Sequence, residues 1–411
     1  MSTALAWIPR GITPSHIEQV PLTKEQIDSF IGANQGENPE TLESLSPEDA
    51  EIAARFHMEN YDDEETANPN QFGIDPQEFQ IPVSKSDEDD EIIRETDCPL
   101  VTGKFDEDIA PSLEFLLFDP DSGDFYSHHI IEIQAPALSL AWMNPHDDLS
   151  FLAISTMNQE IEVRNMKILC ELPDFTLQLH EASVPALSWN PNQPAALLSA
   201  DVSGLISIWN LENQQSAAQF NVSEICSQLS LIPLDPDGVF GGHTPVMEAE
   251  WSPATPTDFL CATGCGVFHF DVRGPQPNLA LGGIFANSIS WITDSVFVCG
   301  DNQGQVTGID LRNPSIPLFQ ALAHQGEVAC VKACRAGPGF ASVGSEDETV
   351  KMWGMKHAIS SKECLEIEEM KMEHLFMAAF NPNIQTLLAV SGAQENGIML
   401  WDINLEWLDR D

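Results

Sequence analysis

Basic residues are scarce in this chain. Only 17 of its 411 residues are Lys or Arg, against 64 Asp and Glu, and the formal net charge at pH 7 is −47. Nucleic-acid binding depends largely on Lys and Arg, which neutralise phosphates and release counterions. The shortage therefore argues against a protein whose body grips RNA or DNA. It favours protein partners, often basic ones, that are attracted electrostatically.

Long apolar runs and paired cysteines are missing as well. Residues 1–30 hold no apolar run long enough for a signal peptide, and no window of eighteen apolar residues occurs anywhere. We therefore expect a soluble, intracellular protein with no membrane contact. The nine cysteines include no CxxC pair, and the spacing of Cys261/Cys265 and Cys330/Cys334 is wider than zinc sites usually use. We expect buried, reduced thiols and no metal.

The sequence also lacks the common catalytic motifs. It has no phosphate-binding Gly-rich loop with a Lys, no HExxH and no nucleophile elbow. His128 and His129 could be metal ligands, but adjacent residues of a strand point to opposite faces of the sheet. We therefore predict a protein that is not an enzyme and that uses no cofactor, metal or small-molecule substrate.

What the chain does contain is a repeated unit of three short apolar runs. The unit is clearest between His324 and Trp353, where Val328–Ala333, Phe340–Val343 and Thr349–Trp353 are separated by Gly, Pro and acidic turns. The length and β-branched content of these runs are typical of strands.

Four polar residues of this unit are spaced for a hydrogen-bonded chain. In a twisted antiparallel sheet, His324, Ser342, Asp347 and Trp353 can converge into a structural tetrad that satisfies buried polar groups. The alternative is a serine-hydrolase triad. It is disfavoured because no strained nucleophile turn surrounds Ser342 and no oxyanion loop is present.

The unit recurs along the chain. We call the residue at the end of each first strand its anchor, and the steps between consecutive anchors are 47, 62, 40, 40 and 49 residues. A period near 40–45 with Trp-Asp-like endings is the signature of a β-propeller blade. The first-strand anchors are Trp142, Trp189, Trp251, Trp291, Val331 and Phe380, and Trp209, Trp401 and Asp402 end third strands.

A seventh blade can be assembled from two separated pieces. Residues 98–103, 113–118 and 124–133 look like three strands, and TALAWIP at Thr3–Pro9 copies SLAWMNP, which places Trp7 at the anchor position. We therefore predict an all-β fold, a seven-bladed WD-repeat β-propeller whose first blade is interrupted by an insertion of about ninety residues.

The insertion is strongly acidic. Residues 37–97 contain twenty acidic and three basic residues, so we expect a largely disordered linker, with short helices at 23–31 and 46–58. Its apolar islands are either contacts that order on binding or spacers. The predicted organisation is an N-terminal strand over 1–10, helices and acidic linker over 11–97, and the propeller over 98–411.

Two further stretches of the propeller are candidates for contacts. The longest gap between strands, from Leu211 to Val246, holds an irregular loop, and loops of this length are usually functional or disordered. We predict an interface there. Cations are most frequent between Lys332 and Lys371, so any RNA contact should be minor and confined to one edge.

Several stretches resemble a known family. ALAWIPRG followed by PLTKEQIDSFI, DSGDFYSHHIIEIQAPALSLAW, and EMKMEHLF leading to GAQENGIMLWDI are similar to segments of periodic tryptophan protein one, a WD-repeat family of the nucleolus. Some Trp-Asp endings are replaced, by Arg164, Phe270 and Ile309, and no basic tail follows the last strand. The chain thus resembles a divergent, shortened member.

The resemblance implies a function that composition does not. It implies a non-catalytic scaffold in the nucleus and nucleolus that supports precursor rRNA processing and large-subunit assembly. The implied partners are proteins of the pre-ribosomal particle, namely assembly factors and basic ribosomal proteins, with at most local rRNA contact. The alternative is a chromatin adaptor that binds histones and supports ribosomal-gene transcription.

Overall fold

Most of the chain outside the acidic insertion is described by the structure, a computed structural model. It describes residues 1–19, 92–106, 108–144, 150–170, 172–234, 239–274, 277–394 and 397–403. The predicted helices at 23–31 and 46–58, nearly all of the acidic linker, and a possible last strand after residue 403 lie outside these ranges.

Seven antiparallel sheets form the fold. Each is a meander whose consecutive strands are neighbours, because short turns of two to a dozen residues join most of them. Sheet 1 contains β1 (Ser2–Trp7), β3 (Cys98–Asp106), β4 (Ile109–Phe118) and β5 (Phe125–Glu132). Sheet 2 contains β6 (Ala137–Met143), β7 (Phe151–Thr156), β8 (Ile161–Asn165) and β10 (Phe175–Leu177). Sheet 3 contains β11 (Ala186–Trp189), β12 (Ala196–Ala200), β13 (Leu205–Asn210) and β14 (Gln215–Asn221).

The remaining sheets repeat the pattern. Sheet 4 contains β15 (Val246–Trp251), β16 (Asp258–Thr263), β17 (Gly266–Asp271) and β18 (Asn278–Gly282). Sheet 5 contains β19 (Ala286–Trp291), β20 (Val296–Asp301), β21 (Gln305–Asp310) and β22 (Phe319–Leu322). Sheet 6 contains β23 (Val328–Cys334), β24 (Gly339–Gly344), β25 (Thr349–Gly354) and β26 (Glu366–Glu369). Sheet 7 has three strands within the described residues: β27 (Leu375–Phe380), β28 (Leu387–Gly392) and β29 (Ile398–Asp402). A separate parallel pair joins β2 (Glu18–Gln19) to β9 (Ile168–Leu169).

The first strands of the seven sheets form a closed inner ring. β1, β6, β11, β15, β19, β23 and β27 contact one another in this order, and β27 contacts β1 again. Both faces of each sheet are thereby covered by its neighbours, and clusters of buried apolar side chains fill the spaces between sheets. This confirms the predicted seven-bladed, all-β propeller.

The N-terminal strand closes the ring. β1 pairs with β3 across the insertion, with Trp7 opposite Leu100. Thr3 Oγ1 donates to the carbonyl of Ala137 in sheet 2 at 2.7 Å, and Trp7 Nε1 donates to the carbonyl of Ala379 in sheet 7 at 2.9 Å. Strand β1 therefore joins both neighbouring sheets.

The indole bond of Trp7 recurs elsewhere in the ring. Trp251 Nε1 donates to the Ser188 carbonyl at 3.1 Å, and Trp291 Nε1 donates to the Glu250 carbonyl at 3.3 Å. In all three cases the acceptor directly precedes the anchor of the preceding sheet. The anchor tryptophans therefore tie adjacent sheets together, and the closing contact is one more copy of this bond.

One anchor assignment is wrong. The anchor of sheet 6 is Ala333, not Val331, because Ala333 lies opposite Phe340 as Trp189 lies opposite Leu197 in sheet 3. The error arose because this strand ends in a small residue, so the sequence offers no aromatic side chain to align.

Two short helices were not predicted. α1 (Val222–Gln228) begins after Asn221, whose side chain accepts from the Glu224 N–H, and buries Val222 and Cys226. α2 (Met355–Ser361) follows β25 and ends at Lys362, which has a left-handed backbone with φ 60°. Seven residues are too few to produce a readable helical period, so sequence patterning misses such helices.

Candidate interaction faces

The strand directions give the ring two ends. The upper face is formed by the turns between second and third strands and by the connections from one sheet to the next. The lower face is formed by the turns after first and third strands. The anchor residues lie at the lower end of each innermost strand.

The structure brings the four residues of the sheet 6 tetrad together near the upper face. Trp353 Nε1 donates to Ser342 Oγ at 2.9 Å, Ser342 Oγ lies 2.8 Å from His324 Nε2, and His324 Nδ1 lies 3.0 Å from Asp347 Oδ2. A neutral His324 satisfies every link of this chain, accepting from Ser342 and donating to Asp347.

Burial and pairing set the protonation of this tetrad. Burial lowers the pKa of His324 below its ordinary value. Burial alone would raise the pKa of Asp347, but His324 and Thr349 lower it overall. The carboxylate therefore stays charged and holds the imidazole in one orientation.

A second tetrad lies in sheet 3, and it was not predicted. His180 Nδ1 lies 2.9 Å from Asp201 Oδ2, His180 Nε2 lies 2.7 Å from Ser199 Oγ, and Trp209 Nε1 donates to Ser199 Oγ at 2.7 Å. His180, Ser199, Asp201 and Trp209 are all buried. The sequence pattern shows Trp209 only as the end of a third strand.

Two features of the sequence concealed this second tetrad. Its aspartate stands two residues earlier than in sheet 6, and Ser203, which takes the place of Asp347, donates to Asp201 at 2.7 Å. The misplaced anchor of sheet 6 also hid the shared spacing. Once Ala333 is the anchor, the histidine precedes the anchor by nine residues in both sheets.

Cysteines take the tetrad serine's place in sheets 4 and 5. Cys261 lies two residues beyond Phe259, and Cys299 lies two residues beyond Phe297, as Ser199 lies beyond Leu197. Both thiols are buried, and burial raises their pKa well above the ordinary value. They are therefore protonated, unreactive core residues.

The paired histidines of sheet 1 do not point apart as predicted. His128 Nδ1 and His129 Nδ1 lie 2.7 Å apart. The reason is a β-bulge: Phe115 lies opposite His129 and Leu116 opposite Ser127, so His128 is an extra residue in the strand. His129 stacks on Phe115, and burial together with His128 lowers its pKa to about 4.

A charged cluster lies on the axis side of the inner ring. Lys332 of β23 reaches past β19 to form an ion pair with Glu248 of β15. Glu248 also accepts from Ser288 Oγ at 2.5 Å. Burial raises the pKa of the adjacent Glu250 to about 7, and Lys332 only partly opposes this. The cluster fastens three consecutive innermost strands to one another.

Charges are distributed unequally between the two faces. Eight of the thirteen described Lys and Arg residues lie at the lower face, and the cations between Lys332 and Lys371 do not form one patch. The lower-face cations are Arg10, Arg94, Lys167, Arg273, Arg312, Arg335, Lys356 and Lys362. Exposed acidic residues at the upper face are Asp106, Asp108, Glu160, Glu181, Glu224, Glu327, Glu346 and Glu373.

Comparisons with known proteins agree with this architecture. The family model described as WD domain, G-beta repeat, matches residues 317–354, which span most of sheet 6 and its tetrad. Periodic tryptophan protein 1 homolog of Drosophila melanogaster is 25% identical, over 85% of this chain and 83% of that protein. Periodic tryptophan protein 1 of Saccharomyces cerevisiae is 21% identical, over 98% of this chain and 88% of that protein.

The chain therefore resembles periodic tryptophan protein 1 of two organisms over most of its length. It is also similar to histone-binding protein MSI1 of Saccharomyces cerevisiae, with 25% identity over 41% of this chain and 39% of that protein.

The tryptophan of the Trp-Asp ending is replaced in sheets 1, 2, 4 and 5, by Leu116, Arg164, Phe270 and Ile309. Phe270 stacks on Phe259 with ring centroids 4.7 Å apart, and Ile309 is fully buried. Arg164 donates to Glu162 at 2.8 Å, and both are buried. In sheet 7 the Trp-Asp pair is kept, with Trp401 half-buried and Asp402 exposed. Each replacement therefore fills the position by apolar packing or by a paired charge.

Metal-binding clusters and membrane-spanning helices are both missing from the part of the chain that the structure describes. No group of three or more His, Cys, Asp or Glu that could hold a metal occurs among those residues. None of the described helices has the length and apolar character needed to cross a bilayer.

Proposed function

We propose that this protein is a non-catalytic WD-repeat scaffold of ribosome biogenesis, located in the nucleus and nucleolus. In this role it supports precursor rRNA processing and large-subunit assembly through contacts with assembly factors and basic ribosomal proteins. The observation that carries the proposal is the closed seven-sheet ring, in a chain that resembles periodic tryptophan protein 1 over most of its length.

The two faces suit a scaffold that holds different partners at once. A ring fixed by interlocking sheets changes shape little when it binds, so partners meet preformed surfaces. The acidic upper face is complementary to basic proteins, and charge complementarity speeds encounter. The lower face carries most of the cations and suits acidic or mixed surfaces, with at most local contact to rRNA.

The tetrads themselves support a role without catalysis. Ser342 and Ser199 are fully buried, and each accepts a tryptophan N–H while it bonds to the histidine. A nucleophile must reach a substrate, and these hydroxyls do not. Their chemistry is that of internal hydrogen bonding.

Sedimentation of cell extracts tests the scaffold role. We expect the protein to migrate with large precursor particles, and its depletion to lower the ratio of large to small ribosomal subunits and to accumulate unprocessed precursor rRNA. A fluorescent fusion should concentrate in the nucleolus. An unchanged subunit ratio after depletion, together with migration only as free protein, would contradict the proposal.

A second candidate function is a chromatin adaptor that binds histones and supports ribosomal-gene transcription. The similarity to a histone-binding protein over 41% of the chain favours it, as does the acidic upper face. Recovery with nucleosomes rather than with precursor particles would select this function over the first.

A further inference from the structure

The connection between β14 and β15, residues 222–245, is the longest of the segments that join one sheet to the next on the upper face. It begins with α1 and is described except at residues 235–238. It lies at the end where sheet-to-sheet connections meet, above sheets 3 and 4.

Hydrogen bonds fix this connection to both sheets. Val222 N–H donates to the Gly204 carbonyl at 2.8 Å, and Ser223 Oγ donates to the Ser203 carbonyl at 3.0 Å. On the far side, the Leu234 N–H donates to the Gly264 carbonyl in sheet 4 at 2.8 Å. Val222 and Cys226 are buried in the core between these sheets. The backbone is therefore a preformed frame.

This frame presents large apolar side chains to solvent. Leu229 is 47% exposed, Ile232 is 85% exposed and Leu234 is 42% exposed. Single exposed apolar residues are ordinary, but three within six residues on a fixed connection form a patch that a partner can cover.

The charge around this patch selects its partner. Between Lys167 and Lys332 the sequence contains only two basic residues, Arg273 and Arg312. Both lie at the lower face, and each is bound to its own neighbour, Asp271 at 3.0 Å and Asp310 at 2.6 Å. The upper face of sheets 3 to 5 therefore has acidic residues without cations.

We propose that residues 222–234, the first part of the β14–β15 connection, are a docking surface for a basic segment of another protein that carries large apolar side chains. Its apolar residues cover Leu229, Ile232 and Leu234, while its Lys or Arg residues face Glu181 and Glu224. Acidic partners, nucleic acid and a second copy of this acidic chain are disfavoured by like charge. This proposal rests on the proposed scaffold function and specifies the chemistry of the partner that binds the upper face.

Binding of synthetic peptides to the full-length protein tests this directly. The probes are three labelled 16-residue peptides measured by fluorescence anisotropy: one alternates Lys and Leu, one has Ser in place of Leu, and one has Glu in place of Lys. We expect the Lys/Leu peptide to bind at least tenfold more tightly than either of the others.

Matched variants then locate the site. Leu229→Ser combined with Ile232→Ser should weaken binding of the Lys/Leu peptide about tenfold, whereas Ile316→Ser, at a 66% exposed lower-face position, should leave it unchanged. Glu181→Gln with Glu224→Gln should weaken it and reduce its salt dependence. All replaced side chains are exposed, so unfolding midpoints should not move.

Unaltered binding by the Leu229/Ile232 double variant, or equal binding of the Lys/Ser peptide, would overturn the proposal. If peptide binding fails while the protein still migrates with precursor particles, the docking surface is refuted and the scaffold function stands. If the protein does not migrate with precursor particles while peptide binding follows the expected pattern, the scaffold function is refuted and the docking surface stands.

Discussion

At the scale of the residue, the buried hydroxyl of Ser342 links the hydrogen bonds of the sheet 6 tetrad. It accepts from Trp353 and bonds to His324, which in turn bonds to Asp347. Removing one partner of such a chain leaves the others buried and unsatisfied, and this costs more than the bond itself contributes.

Ser342→Ala should therefore destabilise the protein by about 1–3 kcal/mol, because Trp353 Nε1 and His324 Nε2 lose their common partner. Ser199→Ala in sheet 3 should cost a similar amount. Urea unfolding measures both. Ser360→Ala, at an exposed position of α2, serves as control and should change stability by less than about 0.5 kcal/mol. A loss in the free energy of unfolding below that level for both buried serines would mean that the tetrads do not contribute to stability.

Glu250 provides a prediction about pH. Burial raises its pKa from the ordinary value of 4.5 to about 7. A carboxyl group whose pKa is higher in the folded state than in the unfolded state stabilises the fold while it is protonated. This contribution is fully present below pH 4.5 and is lost as pH rises through 7. Glu250→Gln cannot ionise but can still accept from the Trp291 N–H, so it should be more stable than the wild type above pH 7.

The expected gain is about 1–2 kcal/mol, reduced from the full shift because Glu250 is partly exposed to solvent. It should shrink steadily to nothing near pH 4.5. Urea unfolding at several pH values measures it, with Glu212→Gln, at an exposed turn position, as the matched control. A Glu250→Gln protein less stable than wild type at pH 8 would show that the carboxylate is stabilised by Lys332 more than burial penalises it.

The sequence contained the sheet 6 tetrad in full, because histidine, serine, aspartate and tryptophan stand in order between clear strands. The sheet 3 tetrad was hidden because its aspartate occupies another position of the same turn. The Glu248–Lys332 pair could not be predicted, since it joins strands 84 residues apart through the curvature of the inner ring. Local sequence patterns predict the residues of each strand, but they do not predict which side chains of different strands come into contact in the ring.

At the scale of the element, the turn between second and third strands places one residue in a left-handed conformation. Gly204 (φ 94°) and Gly304 (φ 81°) occupy this position in sheets 3 and 5, but in sheet 6 it is Glu348, with φ 55°. A side chain there costs energy that glycine avoids.

Glu348→Gly should therefore raise the free energy of unfolding by about 1 kcal/mol, the strain relieved less the added freedom of the unfolded chain. Gly304→Ala should lower it by more than that, because its added Cβ would lie 2.2 Å from the His324 carbonyl oxygen. Thermal unfolding of the two variants measures both effects. A loss of stability in Glu348→Gly would show that the glutamate makes contacts worth more than the strain.

Strand β1 supports a second prediction at this scale. Its side chains Ala4, Leu5, Ala6 and Trp7 are buried, and it bonds to sheets 2 and 7. If a protease site is inserted after Asn68 and the chain is cut there, the N-terminal fragment should remain bound under native conditions. Size-exclusion chromatography of the cut protein measures this, and Trp7→Ala should release the fragment. Spontaneous release from the wild type would mean that β1 is held only by covalent connection.

The limits of sequence patterning are clearest in elements with one irregular residue. The alternation rule separated His128 from His129, and the bulge at His128 brings them together. In sheet 6 the small residue Ala333 concealed the anchor. By contrast, β1 was recognised across the insertion because ALAW repeats the residues of another innermost strand and burial demands the same pattern at each such position.

At the scale of the whole molecule, net charge and its distribution are separate properties. Residues 37–97 contribute −17 of the total of −47, so −30 remains on the rest of the chain. The repeat period predicted six of the sheets, and the likeness of Thr3–Pro9 to another innermost strand supplied the seventh. Neither pattern could show that cations gather at the lower face, because that depends on which turn each one occupies.

The unequal charge of the two faces leads to a prediction about the rate at which the protein associates with basic partners. Attraction between an acidic face and a basic protein accelerates association and is screened as salt shortens the Debye length. The association rate with a basic probe, purified core histones, should fall at least tenfold between about 50 and 500 mM NaCl, while dissociation changes less. Stopped-flow fluorescence separates the two rates.

The face responsible can be identified with matched neutral substitutions. Glu160→Gln, Glu181→Gln and Glu327→Gln together remove three charges from the upper face and should slow association at low salt by a factor of several. Asp121→Asn, Glu212→Gln and Asp294→Asn remove the same charge from lower-face turns and should slow it less. Equal effects of the two triple variants would mean that only total charge matters, and that basic partners approach this ring without preference for a face.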